Sequence, residues 1–121
     1  MKAWFLFSGD RLLVFRMRGR DDLELWMAIG LGWVTDVIVK WLGLDTFVNH
    51  VQKVELSDED VEFLGYVKHL YGRVHYSFWK KIYRLLEAGE KDEALRLMAA
   101  ELVCRSLLED DSGDGQARGA L

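Results

Sequence analysis

The first eighteen residues constrain the fold most, because they predict a β-hairpin that is apolar on both faces. Two runs of aromatic and branched residues, 3–7 and 12–17, flank a turn that contains Gly9 and Asp10. Glycine followed by aspartate suits a tight hairpin turn, in which glycine adopts a positive φ without steric cost. Residues 2–18 are therefore predicted to form two antiparallel strands.

The register that this turn imposes leaves neither face of the hairpin polar. Phe5 stands opposite Val14 on one face, and Trp4 stands opposite Phe15 on the other. An isolated two-stranded hairpin is barely stable in water. We therefore expect this hairpin to be covered by helices, extended by a further segment, or paired across a subunit boundary.

Residues 21–44 predict a helix that is apolar almost all the way round. A narrow stripe of small or polar residues interrupts it at four-residue spacing: Glu24, Ala28, Gly32, Asp36 and Lys40. A helix of this kind is normally buried on most sides. Gly30 and Gly32 weaken it and are expected to mark a bend, and Gly43 suits its end.

The following segment, 46–55, is interpreted as a short helix, although residues 51–56 fit a strand as well. Ser57 then begins a long helix, because Ser57 and Asp60 have the spacing of a capping box. This helix extends toward residue 88, which gives it a length of about 46 Å. We expect it either to break near Gly72 or to project from the domain and bind a partner.

A last helix is predicted over residues 91–109, with Cys104 as a core residue. Residues 110–121 are acidic and poor in apolar groups, which is typical of a disordered tail. The fold expected is mainly α, of the α+β kind, with an N-terminal β-hairpin packed on a three- to four-helix bundle. Residues 1–109 are expected to form one domain.

The chain is rich in apolar and aromatic residues for its length of 121. It has five Trp, four Tyr and six Phe, which is more apolar area than one copy of a domain of this size readily buries. Aromatic residues also dominate the energetics of protein interfaces. We therefore predict a small non-enzymatic protein-interaction domain, such as an adaptor, an inhibitor or an obligate oligomer. The candidate interface residues, as core or as contact surface, are Trp4, Phe5, Phe15, Trp26, Trp33 and Trp41.

Nucleic-acid binding is the alternative prediction, because residues 66–84 interleave bases with aromatic residues. Basic side chains neutralise phosphates, and aromatic rings stack on bases. The candidate residues are Arg73, Tyr76, Lys80, Lys81 and Arg84. The same pattern also suits a helix whose acidic start and basic end complement its dipole. The net charge of −4 argues against indiscriminate nucleic-acid binding.

No catalytic, metal or cofactor site is expected. Asp36 and Lys40 are interpreted as an ion pair on the exposed stripe of their helix, although a buried Asp36 with a raised pKa would suit an acid or base. The three histidines and Cys104 do not have the spacing of a zinc site. The longest apolar stretch, 25–39, is too short to span a bilayer, and one cysteine suits the cytoplasm.

Overall fold

The computed structural model describes the backbone of residues 1–47 and 50–120, and the side chains of residues 1–47 and 50–108. In this part of the chain the elements are β1 (Lys2–Ser8), β2 (Arg11–Gly19), β3 (Asp22–Gly30), α1 (Trp33–Leu42), β4 (Gln52–Glu55), α2 (Asp58–Leu70), α3 (Tyr76–Glu87) and α4 (Lys91–Ala120). The predicted α+β class is confirmed. α4 runs to Ala120, so the last helix is longer than the predicted range of 91–109. The side chains of residues 109–121 lie outside the described residues, and the disorder expected at 110–121 stays a prediction.

The N-terminal hairpin has the predicted register. β1 pairs antiparallel with β2, with Phe5 opposite Val14 and Trp4 opposite Phe15. Gly9 has a φ of 60° in the connecting turn, a conformation that side chains other than glycine rarely adopt. The turn chemistry therefore fixes which residues share each face.

Two further strands extend the hairpin into a four-stranded antiparallel sheet, with the strand order β3-β2-β1-β4. β3 pairs with β2 over nearly its whole length, and β4 pairs with the first half of β1. The register of β3 shifts between Val14 and Phe15, where Trp26 is the additional residue of a bulge.

The prediction of one helix over residues 21–44 is wrong for its first half, which forms β3. This strand is apolar on both faces, so it lacks the alternation by which strands are recognised. Gly30 and Gly32, which were expected to bend a helix, instead end β3 and precede α1. Gly32 has a φ of 152°, so the backbone reverses there without a side-chain clash.

The segment 46–55 was predicted as a helix, and this is wrong for its described second half. Residues Gln52–Glu55 form β4, the alternative that the sequence also fitted. The long segment after Ser57 breaks into α2 and α3 near Gly72, whose φ is 78°. The capping box at the start of α2 is confirmed, since Ser57 and Asp60 each donate a backbone N–H to the side chain of the other.

The helices pack on one face of the sheet, here called the inner face. Its fully buried residues include Phe5, Leu12 and Val14, which share one apolar core with Phe63 and Leu64 of α2. α1 packs against α3, and α4 packs against α2 and α3. The core therefore lies between one side of the sheet and the helical layer.

The second half of α4 extends beyond this core. Ala94 and Met98 are fully buried near its start, whereas Val103 and Leu107 are exposed. Cys104 is exposed as well, so the prediction that it is a core residue is wrong. Its neighbour Leu102 is half-buried and packs against the core, so Cys104 lies on the exposed side of a helical turn that still contacts the other helices.

Candidate functional site

The face of the sheet turned away from the helices is also apolar. Side chains alternate between the two sides of a strand, so the neighbours of the buried inner residues point the opposite way. Eight residues form this outer face: Trp4, Leu6, Leu13, Phe15, Met17, Leu23, Leu25 and Ala28.

The outer face remains open to solvent in a single copy. Met17, Leu23 and Leu25 are 41%, 50% and 53% exposed. The other five residues are half-buried. Among the described residues, none of these five belongs to the half-buried apolar side chains that pack against the core. Their partial burial therefore comes from one another rather than from a covering layer.

Strand pairing arranges the outer face in rows that run across β3, β2 and β1. The middle row holds Leu25, Phe15 and Trp4, and the next row holds Ala28, Leu13 and Leu6. Met17 and Leu23, which are paired with each other, form the third row. The face is therefore a continuous apolar surface, with its largest side chains in the middle.

Charged side chains border the outer face along β4. Lys53 pairs with Trp4 at the end of the middle row, and Glu55 pairs with Lys2 one step further. The amino group of Met1 lies 3.3 Å from Glu55 Oε1. An apolar area with a polar margin is typical of a protein-binding surface.

The inner face, by contrast, carries an ion-pair cluster at one end, in which two arginines contact one glutamate. Arg16 Nε donates to Glu24 Oε1 at 2.6 Å, and the Arg18 guanidinium lies 3.5 Å from the other carboxylate oxygen. The hydrogen bond from Arg16 lowers the pKa of Glu24, and the charge of Arg18 adds to this effect. The Arg16 guanidinium also lies 5.0 Å from the ring centroid of Trp26.

The structure separates the six candidate interface residues. Trp4 and Phe15 lie side by side on the outer face. Phe5, Trp26 and Trp41 are buried in the core, so they offer no contact surface in the folded chain.

Trp33, the sixth candidate, lies apart at the start of α1. It is 37% exposed, and its ring meets that of Tyr83 edge-on at 5.7 Å. The charge of Glu87 raises the pKa of the Tyr83 phenol. These contacts tie α1 to α3, so Trp33 has a packing role even though part of its ring is exposed.

Trp41 shows why aromatic content alone overestimated the contact surface. Its indole N–H donates to Asp60 Oδ1 at 2.7 Å, and its ring stacks on Phe63 at 4.1 Å between centroids. Both contacts hold α1 against α2. The residue therefore stabilises the helical layer.

Of the eight outer-face residues, only Trp4 and Phe15 were candidates from the sequence, so Leu6 and Leu13 were missed on the hairpin itself. Met17, Leu23, Leu25 and Ala28 were not candidate residues, and the last three were assigned to a helix. Leu23 and Leu25 are nevertheless two residues apart in an apolar run, which is a signal for a strand with one apolar side.

The nucleic-acid candidates lie on α3 and on the turn before it. Lys81 and Arg84 are exposed on the side of α3 opposite its buried residues, and Tyr76 is exposed at its start. The Lys80 ammonium lies 5.9 Å from the ring centroid of Trp33, so it also takes part in the contact between α1 and α3. Arg73 is exposed in the turn between α2 and α3.

A cleft of about 510 Å³ lies between the β1–β2 turn and α1. Its lining residues are Phe7, Gly9, Leu31, Gly32, Thr35, Asp36, Val39 and Thr46. Asp36 and Lys40 are both exposed, as expected for this stripe of the helix, but the ion pair predicted between them is not among the ion pairs of the described residues. Asp36 is the single titratable group in this lining, so the cleft does not bring an acid and a base together.

The described residues also bear on metal sites and on membrane spans. In that part of the chain, no group of three or more His, Cys, Asp or Glu side chains is placed to hold a metal ion. No helix there is long and apolar enough to cross a bilayer. In comparisons with protein-family models, curated proteins and solved structures, nothing was found that matches this chain.

Proposed function

We propose that this chain is a non-enzymatic protein-interaction domain that binds its partner through the outer face of the sheet. The observation that supports this most is the exposure of Met17, Leu23 and Leu25 beside a continuous row of aromatic and aliphatic side chains. Contiguous apolar surface costs free energy when it faces water, and covering it is favourable. We place this domain in the cytoplasm, where an exposed thiol such as Cys104 stays reduced.

The sheet geometry favours contact through the face rather than through an edge. β3 is an edge strand, and its bulge at Trp26 interrupts the row of backbone groups that another strand would need. At the other edge, β4 has only four residues and carries Lys53 and Glu55 on the outer side. Both features discourage strand addition, whereas the face between them is unobstructed.

Site-specific photocrosslinking in cells of the source organism tests this proposal. A photoreactive amino acid replaces Leu25 in one variant and Lys81, on the exposed side of α3, in the matched control. We expect a discrete protein adduct from position 25 and none of that mass from position 81. The absence of any protein adduct at position 25 contradicts the proposal.

Nucleic-acid binding by α3 is a second candidate function. It is favoured by Lys81 and Arg84, which share the exposed side of this helix next to the exposed ring of Tyr76. It is weakened by Arg16 and Arg18, which contact Glu24 instead of extending the basic surface.

Fluorescence anisotropy with labelled single-stranded and duplex oligonucleotides tests the second candidate. If α3 binds phosphates, the affinity falls steeply with salt, and Lys81→Glu with Arg84→Glu removes it. If the wild-type chain shows no binding even at low salt, α3 has no such function. Leu25→Lys serves as the control, because it adds a positive charge away from α3.

A further inference from the structure

We propose that the outer face binds a second copy of this chain, so that two sheets pack face to face. The two-fold axis lies between the sheets and runs perpendicular to the strands. This inference rests on the proposed function and names its partner.

The rows of the outer face complement each other in size when one copy is turned about such an axis. The row of Leu25, Phe15 and Trp4 then lies over the row of Ala28, Leu13 and Leu6 in the second copy. Each larger side chain faces a smaller one at the matching place: Leu25 over Ala28, Phe15 over Leu13, and Trp4 over Leu6. Packed sheets interdigitate in this way at a separation of about 10 Å.

The charged margin is compatible with this arrangement. Rotation about this axis places Lys2 near Ser8 of the second copy. It also places Met17 near Arg11 of the second copy, and the aliphatic part of the Arg11 side chain can cover Met17. An axis parallel to the strands would instead bring Met17 and the apolar rows against Lys2 and β4 of the second copy. The perpendicular axis therefore buries apolar side chains without placing like charges against each other.

The area of the face lies near the lower limit for a specific dimer. Together with its charged margin on β4, the face spans four strands about 4.8 Å apart, and with seven residues at about 3.4 Å each it covers about 19 by 24 Å. The projected area of about 450 Å² understates the accessible area, because side chains add relief. Specific interfaces begin at about 600 Å² per partner, which such a face approaches through this relief.

The first experiment measures the mass of the purified full chain in solution, by light scattering over a concentration series. We expect the mass to rise from 14.0 kDa toward twice that value. Leu25→Lys buries a charge in the interface, so we expect dimerisation at least about 100-fold weaker. Ala100→Lys, which introduces the same charge at an exposed position of α4, is the control and leaves dimerisation unchanged. Circular dichroism confirms that each variant is folded.

The second experiment tests the two-fold arrangement itself. Leu25 of one copy lies over Ala28 of the other, so Ala28→Glu is also expected to weaken dimerisation. A mixture of Leu25→Lys and Ala28→Glu places opposite charges against each other and restores a mixed dimer. If the wild-type chain dimerises and the mixture does not, the proposed arrangement is wrong.

Two further results would overturn the proposal. A mass of 14.0 kDa up to high micromolar concentration excludes the second copy as the partner. A dimer that Leu25→Lys leaves intact uses another surface. If the chain is monomeric, the crosslinking experiment separates the two proposals. An adduct between position 25 and a different protein then supports the interaction function without the dimer. The absence of any adduct removes that function as well.

Discussion

The two faces of the sheet are made of similar residues but have different surroundings. On the inner face, Phe5 and Val14 are fully buried beneath the helices. On the outer face, Phe15, which follows Val14 in β2, is half-buried, and its partner Leu25 in β3 is exposed. Within one sheet, apolar character therefore does not tell which side forms the core. The side with helical cover stabilises the fold, and the other side is available to a partner.

The polar contacts of the two faces differ in the same way. The inner layer is fixed by specific hydrogen bonds, such as Trp41 to Asp60 and the Gly30 N–H to Tyr71 Oη at 2.9 Å. The outer face is apolar throughout its eight residues. Specific bonds define one packing arrangement for the helices, whereas under the proposed function the open face selects its partner by shape and area.

The largest expected effect is the truncation of an inner aromatic residue. Phe5→Ala creates a cavity in the core, so we expect the free energy of unfolding to fall by about 3–5 kcal/mol. Phe15→Ala, at the outer face, is expected to cost about 1 kcal/mol, because its ring is only half-buried. Urea unfolding of dilute protein measures both values. Equal losses would contradict the difference between the faces.

The next effect concerns the contact that holds the helical layer together. Asp60→Ala removes the carboxylate that accepts from both Ser57 N and Trp41 Nε1, and it leaves the buried indole N–H without a partner. We expect a loss of about 2 kcal/mol in the same unfolding assay. The control is Asp58→Ala, which removes a first-turn acid of the same helix and should cost about 0.5 kcal/mol. Similar costs for the two variants would show that Asp60 acts only through the helix dipole.

A smaller effect is expected when the outer face changes. Leu25→Lys should alter the free energy of unfolding of the dilute, monomeric chain by less than about 0.5 kcal/mol, because the side chain is already 53% exposed. Thermal unfolding at low protein concentration measures this. A loss as large as that of Phe5→Ala would mean that Leu25 belongs to the core.

The smallest effect is a dependence of stability on acid at the edge of the inner face. The hydrogen bond from Arg16 lowers the pKa of Glu24, so its contribution is fully present above the ordinary value of 4.5. That contribution is lost as the pH falls through the lower pKa of the folded chain. Glu24→Gln should reduce the loss of thermal stability in this acidic range. An identical pH profile in wild type and variant would contradict the role assigned to this pair.

Local chemistry predicted the N-terminal hairpin correctly. Gly9 and Asp10 fix the turn, and the turn fixes the pairing of Phe5 with Val14. The capping box at Ser57 was also predicted correctly from the sequence, because its hydrogen bonds join residues that are three apart. The break near Gly72 was one of two predicted outcomes. In each case the deciding interaction lies within a few residues of the chain.

The outer face could not be read from the sequence in full, because its β3 part depends on long-range pairing. Leu23 and Leu25 lie in a strand that is apolar on both sides, and such a strand matches the pattern of a buried helix. The bulge at Trp26 breaks the alternation that would have distinguished them. The two apolar faces of the hairpin did predict a need for cover, but only the structure shows which face has it.

Oxidation of two methionines tests the difference between the faces most directly. Met17 lies on the outer face and is 41% exposed, whereas Met27 lies on the inner face and is 6% exposed. With dilute protein and hydrogen peroxide, peptide mass spectrometry should show rapid oxidation of Met17 and slow oxidation of Met27. At high protein concentration, Met17 should become protected. Equal oxidation rates for the two residues in dilute protein would contradict the account.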